Sequence, residues 1–201
     1  MEEVSSMKYL KLVDGTKSNA NGFEYKIGEI NIAETWNPTT FDPAIMGGFN
    51  FSVDNKILRW VHRGDTIYDV EIPDDGEIID CPSPNCPHGV FRSNKIILTN
   101  PRKVTEDMVM GLYKKSYLPQ KTYYQCIVVV LYKNYVNVAK QIIKDKVSKE
   151  NINDCINEFE RFVTDKHDGV EHKFNYDDLW QEAKDIYDIL LNIQKGVNPN
   201  E

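Results

Sequence analysis

A chain of 201 residues with a formal charge of −7 is one large domain or two small ones in size. Its acidic balance argues against nucleic acid as a partner, because phosphate recognition draws on clustered Lys and Arg. With 41% hydrophobic and 11% aromatic residues, it has the apolar surface for a core, which excludes wholesale disorder. No stretch approaches the ~18 apolar residues of a membrane span. Met1-Glu2-Glu3 also lacks the basic start and apolar run of a signal peptide. The expectation is a soluble protein, not secreted and without a transmembrane segment. In a reducing compartment Cys81, Cys86, Cys126 and Cys155 are thiols or metal ligands before they are disulfides.

Residues 8 to about 100 read as short pieces separated by turn formers. Tyr9-Leu10-Lys11-Leu12-Val13 is a predicted strand, and Phe23, Tyr25 and Ile27 alternate with polar residues as a second. A loop with Asn37-Pro38 and Asp42-Pro43 follows. Phe49, Phe51 and Val53 alternate after Gly47-Gly48. Asp54 or Asn55 then caps a short helix with Ile57, Trp60 and Val61 on one face and Gly64 as its stop. Tyr68, Val70 and Ile72 form another strand up to the turn Pro73-Asp74-Asp75-Gly76. Glu77-Ile78-Ile79-Asp80 and Lys95-Ile96-Ile97-Leu98 supply two more.

From about residue 104 the apolar period becomes helical. Thr105, ahead of Glu106-Asp107, caps a helix whose apolar face is Met108, Val109, Leu112 and Tyr113 and which ends by Leu118-Pro119. Residues 122–146 read as one central helix, apolar all round at Ile127 to Leu131. A strand over 126–131 is the alternative, because the run is β-branched. Ser148 is the expected cap of the next helix, with Ile152, Cys155, Ile156, Phe159, Phe162 and Val163 inward. Asn175 is the expected cap of the last, with Leu179, Ala183, Ile186, Tyr187 and Leu190 inward. The fold class is therefore α+β. A short-stranded, mostly antiparallel β-rich part, residues 1–103, is followed by a bundle of three to four helices, residues 104–201. The two are expected to pack as one body, since residues 99–104 make too short a free linker.

Chemistry-bearing clusters are few. Cys81-Pro82-Ser83-Pro84-Asn85-Cys86-Pro87-His88 places two thiols and an imidazole in C-x4-C-x-H spacing. Structural zinc takes four ligands, and no second ligand pair lies nearby, so a fourth would have to come from Asp80, Cys126, a remote His or a neighbouring chain. Cys81, Cys86 and His88 therefore read as a proline-stiffened loop and no cofactor is expected. Trp60-Val61-His62-Arg63-Gly64-Asp65 puts a His, an Arg and an Asp at a helix end, where the dipole alone favours the cations. Asp165-Lys166-His167-Asp168 and Glu171-His172 lie in a charged inter-helix loop. No P-loop, dinucleotide fingerprint, nucleophile elbow or HExxH occurs.

Several ordered motifs nevertheless carry a resemblance. Lys8-Tyr9-Leu10-Lys11-Leu12 through Asn21-Gly22-Phe23-Glu24-Tyr25-Lys26-Ile27-Gly28 resembles the opening of a giant-virus family, the mimivirus-type paralogous domain often found in front of ankyrin repeats. Gly47-Gly48-Phe49-Asn50-Phe51-Ser52, Ile72-Pro73-Asp74-Asp75 and Lys95-Ile96-Ile97-Leu98 are similar to later motifs of that family. The likeness covers about residues 8–100. Where relatives continue into ankyrin repeats, this chain has Lys114-Lys115-Ser116-Tyr117-Leu118-Pro119 and further helices. The resemblance brings no activity and no catalytic residues.

It implies a viral protein of the host-cell cytoplasm or virion, a non-enzymatic interaction module or adaptor whose partner is a host or viral protein, with homo-oligomers left open. The alternative is an ADP-ribosyltransferase-like enzyme. The Gly48-Phe49-Asn50-Phe51-Ser52 strand is similar to that superfamily's aromatic/Ser strand, and Glu71 lies on a later one. Ser52 and Glu71 are its candidate catalytic residues, with Lys8 and Lys11 standing where the superfamily uses Arg or His. A concave pocket holding Ser52 and Glu71 together would favour the enzyme.

Overall fold

Strand β1 (Tyr9–Val13) alternates side chains across a sheet and is buried on both faces, because an aromatic cluster covers one side and the turn Ile57–Arg63 packs on it as well. A computed structural model describes residues 8–81, 88–165 and 172–197. In it β1 pairs antiparallel with β3 (Phe49–Val53) and with β4 (Thr66–Glu71). Outward from these lie β2 (Ile30–Ile32), β5 (Ile78–Asp80), β6 (Val90–Ser93) and β7 (Lys95–Lys103). The seven strands form one sheet in the order β2-β7-β4-β1-β3-β6-β5, and every paired neighbour is antiparallel. The helices are α1 (Pro43–Met46), α2 (Glu106–Lys115), α3 (Gln120–Leu131), α4 (Val136–Lys146), α5 (Ile152–Thr164) and α6 (Gln181–Gln194). The α+β class expected from the sequence is therefore the observed one. None of the described helices is long and apolar enough to cross a membrane.

Two compact units divide at Leu118 and Pro119. The first holds the whole sheet and also α2. On one face of its sheet Val13, Phe49, Phe51, Tyr68, Val70 and Leu98 form an apolar cluster with Tyr25. Phe23 and Tyr25 meet Phe49 with ring centroids 5.0 and 5.5 Å apart, and Tyr9 meets Phe51 edge-on at 5.3 Å. The 3₁₀ turn Ile57–Arg63 packs on β1 and β3, and α2 packs on that turn. Gly64 closes the turn against β1, where a side-chain carbon would come within 2.3 Å of the Val13 backbone. In the second unit, α3 is buried from Thr122 to Leu131 and packs against α4 and α5, and α5 packs against α6.

The structure corrects several expected elements. Phe23, Tyr25 and Ile27 do not lie on a strand: only isolated bridges link Glu24 to Lys17 and Ile27 to Leu98. The segment curls back on itself through bonds such as Tyr25 N–H to Thr16 O, at 2.8 Å, and Gly28 turns it with a φ of +76°. Residues 126–131 are helix, not strand, and the helix expected over 122–146 is two helices parted at Asn134, whose φ is +60°. The short helix after Asn55 is a 3₁₀ turn without a side-chain cap. Ser148 does not cap α5: its N–H donates to Asn151 Oδ1 at 2.8 Å, and α5 begins only at Ile152. Asn175 caps the 3₁₀ turn Tyr176–Asp178, and α6 starts at Gln181. Thr105 does cap α2, accepting from Met108 N–H. On α5, Phe162 and Val163 are half-buried rather than inward, because they lie in its last turn. The last strand runs on past Leu98 to Lys103, with a register shift opposite Ile67 and Asp69 that accommodates Asn100 and Pro101.

Candidate functional site

The ladder between β1 and β3 lasts for two pairs, Tyr9 with Val53 and Leu10 with Ser52. Beyond Leu10, β1 keeps its pairing to β4 through Val13 but leaves β3. Lys11 stands at this parting. A strand alternates its side chains, so Lys11 shares the Tyr9 and Val13 face, the side of the aromatic cluster. It is 5% exposed. Its amine donates to Asn50 O at 2.6 Å and to Asn50 Oδ1 at 2.9 Å, which satisfies a carbonyl that the shortened ladder does not. The amine also lies 5.4 Å from the centre of the Tyr25 ring.

Lys11 lines a cavity of about 250 Å³. Asn50, Phe51 and Arg92 come to it from β3 and β6, and Trp60 and Arg63 from the 3₁₀ turn that Gly64 holds against β1. Ser18 and Asn19 close it from the curled segment after β1. Three basic residues, Lys11, Arg63 and Arg92, and no Asp or Glu stand among its described lining residues. Arg92 donates to Gly47 O at 2.6 Å, which fixes its side chain. Arg63 is exposed and makes no ion pair among the described residues. The ammonium of Lys11 is brought down from 10.5 to about 7, first by burial and then by the charge of Arg92. Burial pushes the Tyr25 hydroxyl the other way, upward, against a hydrogen bond from Ser18.

The candidate catalytic and metal-ligating residues singled out in the sequence fall elsewhere. Ser52 is buried and donates to Gly89 O at 2.6 Å. Glu71 is exposed at the end of β4 and accepts from Thr99 Oγ1 at 3.1 Å. Neither lines the cavity, and β1 separates their strands. Lys8 pairs with Asp69 at 3.0 Å. Cys81 is half-buried, with its Sγ 3.6 Å from Met46 Sδ, and burial first of all raises its pKa. His88 is exposed, its Nδ1 3.6 Å from Asp80 Oδ2, while Cys86 lies outside the described residues. No group of three or more His, Cys, Asp or Glu among the described residues could hold a metal ion. Asp65 is tied to Lys103 and accepts from Gly15 N–H. Lys166, His167, Asp168 and Glu171 also lie outside the described residues. Among the described residues, Trp60 and Arg63 of the His/Arg/Asp cluster reach the cavity, as do Lys11 and Asn50 and Phe51 of the strand compared with ADP-ribosyltransferases.

Comparison with protein-family models, curated proteins and solved structures finds no match to this chain. The site therefore rests on its own geometry. Sequence reading missed Lys11 as a site residue in its own right, although the signal was available: a cation at an inward position of an otherwise apolar strand, Tyr9-Leu10-Lys11-Leu12-Val13. Arg92 carried no such signal, since β6 itself was not predicted.

Proposed function

We propose that this chain is a non-enzymatic binding module whose ligand is a small organic anion held in the Lys11 cavity. The observation that carries the reading is charge. In a protein of net charge −7, the cavity gathers the two guanidinium groups of Arg63 and Arg92 beside Lys11, without one carboxylate among its described lining residues. Such a wall favours a phosphate or carboxylate group, and a partly desolvated setting strengthens that attraction. Trp60, Phe51 and Ile57 add an apolar side for the body of the ligand. At about 250 Å³ the space is below the roughly 300–1,000 Å³ of drug-sized sites, which suits a metabolite-sized ligand. The positions of Ser52 and Glu71, one bonded to Gly89 O and the other outside the cavity, support a binding module over an ADP-ribosyltransferase-like enzyme.

Trp60 reports the test. In a Trp36→Phe, Trp180→Phe background, titration with pyridoxal 5′-phosphate should quench its fluorescence saturably, and inorganic phosphate should compete. Arg63→Gln should weaken binding about tenfold, as losing one charge-assisted contact of roughly 1.5 kcal/mol implies. Quenching that is unsaturable, or indifferent to Arg63→Gln, removes the reading.

A further inference from the structure

We propose that Lys11 captures its ligand covalently, forming a reversible imine with an anionic aldehyde or ketone seated in the cavity. The inference rests on the anion-binding reading above and deepens it to a substrate class. An amine attacks a carbonyl only through a free electron pair, so a nucleophilic lysine must shed its proton near neutral pH. Lys11 is placed for this. Among the described residues no carboxylate pairs with it, and both its acceptors, Asn50 O and Asn50 Oδ1, are neutral. The two contacts use two N–H bonds of the amine, all that a neutral amine has, and leave its electron pair over. Burial and Arg92 hold its pKa at about 7, so a large share of the amine is neutral at physiological pH. Arg63 and Arg92 would take the anionic group of the ligand, which places the carbonyl beside this lysine rather than an exposed one.

The chemistry balances without an oxidant or a cofactor. The nitrogen pair forms the new C–N bond as the carbonyl π pair moves onto oxygen. A proton passes from nitrogen to that oxygen through solvent, giving a carbinolamine. The hydroxyl then leaves with a proton as water while nitrogen supplies the C=N bond. One water is released, and the same water reverses the capture.

Pyridoxal 5′-phosphate is the probe, since it carries an aldehyde and a phosphate. The whole protein is incubated with it, reduced with borohydride and mapped by peptide mass spectrometry. At least tenfold more adduct is expected on Lys11 than on any other lysine, with free inorganic phosphate protecting Lys11 and Lys11→Arg abolishing that adduct. Adduct spread over exposed lysines, unprotected by phosphate, overturns the proposal, and wild-type protein alone gives that answer should the variant fail to fold. Phosphate-free pyridoxal separates the two ideas. If it labels Lys11 as fast as the phosphate ester does, the nucleophile stands and the anion reading falls. If the ester quenches Trp60 saturably but leaves no reduced adduct, the anion reading stands and the imine is overturned.

Discussion

Lys11 is 5% exposed on a strand whose neighbours face an apolar core, and the fold offers its amine two neutral oxygens and an arginine. Burying a charge in that setting costs free energy, so the folded chain prefers the neutral amine. The consequence has a definite sign. The amine titrates at about 7 when folded and near its ordinary 10.5 when unfolded. Between those values the unfolded chain binds more protons, so stability rises with pH across the window. Below about pH 7 both states carry the proton, and the penalty is present in full and constant. Tyr25, Arg63 and Arg92 share the surroundings, and burial holds the Tyr25 hydroxyl neutral throughout that range. The urea midpoint of the wild type should therefore increase from pH 6.5 to pH 9 relative to Lys11→Met, which keeps the stem and drops the charge. Parallel midpoints in the two proteins would mean that Lys11 keeps its proton throughout.

At the level of elements, α5 and α6 show how far periodicity reaches. Ile152, Cys155, Ile156 and Phe159 on α5 are buried, as are Ala183, Ile186, Tyr187 and Leu190 on α6, and the Phe159 and Tyr187 rings lie 5.5 Å apart. Phe159 is fully buried. Removing its ring leaves a cavity that rigid helices refill only in part, so Phe159→Ala should cost about 3–5 kcal/mol in chemical denaturation. Phe162→Ala, at a half-buried position, should cost clearly less, and equal losses would mean that the two rings are equally enclosed. The same contrast explains which strands were legible. β3 and β4 carry apolar residues at alternate positions, β1 and the start of β7 are short apolar runs, and all four announce themselves. β2 reverses the pattern: Asn31 is buried, its side chain bonded to Lys26 N–H and O, while Ile30 and Ile32 are 49% and 62% exposed. An edge strand with its polar residue inward reads as loop. β6 is half-buried along Val90-Phe91-Arg92 and offers no alternation.

On the scale of the whole molecule, the α+β class was legible because the apolar period changes near residue 104, but that change does not mark where compactness breaks. The site was less legible still, because it forms where two strands part, and a parting depends on partners from distant segments that periodicity does not name. The compact unit that holds the cavity runs to Leu118. Its last stretch is tied down: α2 packs on the 3₁₀ turn, Tyr117 N–H donates to Asn55 O at 2.9 Å, and the Lys56 amine sits 4.7 Å from the Tyr117 ring. Val109 and Tyr113 of α2 are buried, and each buried side chain of that size is worth roughly 1.5–3 kcal/mol. Two of them amount to a large share of the ~5–15 kcal/mol that holds a domain together. A chain ending at Leu118 should therefore unfold cooperatively and keep the Trp60 response to pyridoxal 5′-phosphate. One ending at Lys103, where the strands end, should lose several kcal/mol in urea denaturation and, with the turn that carries Trp60 and Arg63 uncovered, should lose the response too. Equal stability of the two truncated chains would show that α2 contributes nothing to the sheet, and that the boundary lies where the apolar period changes.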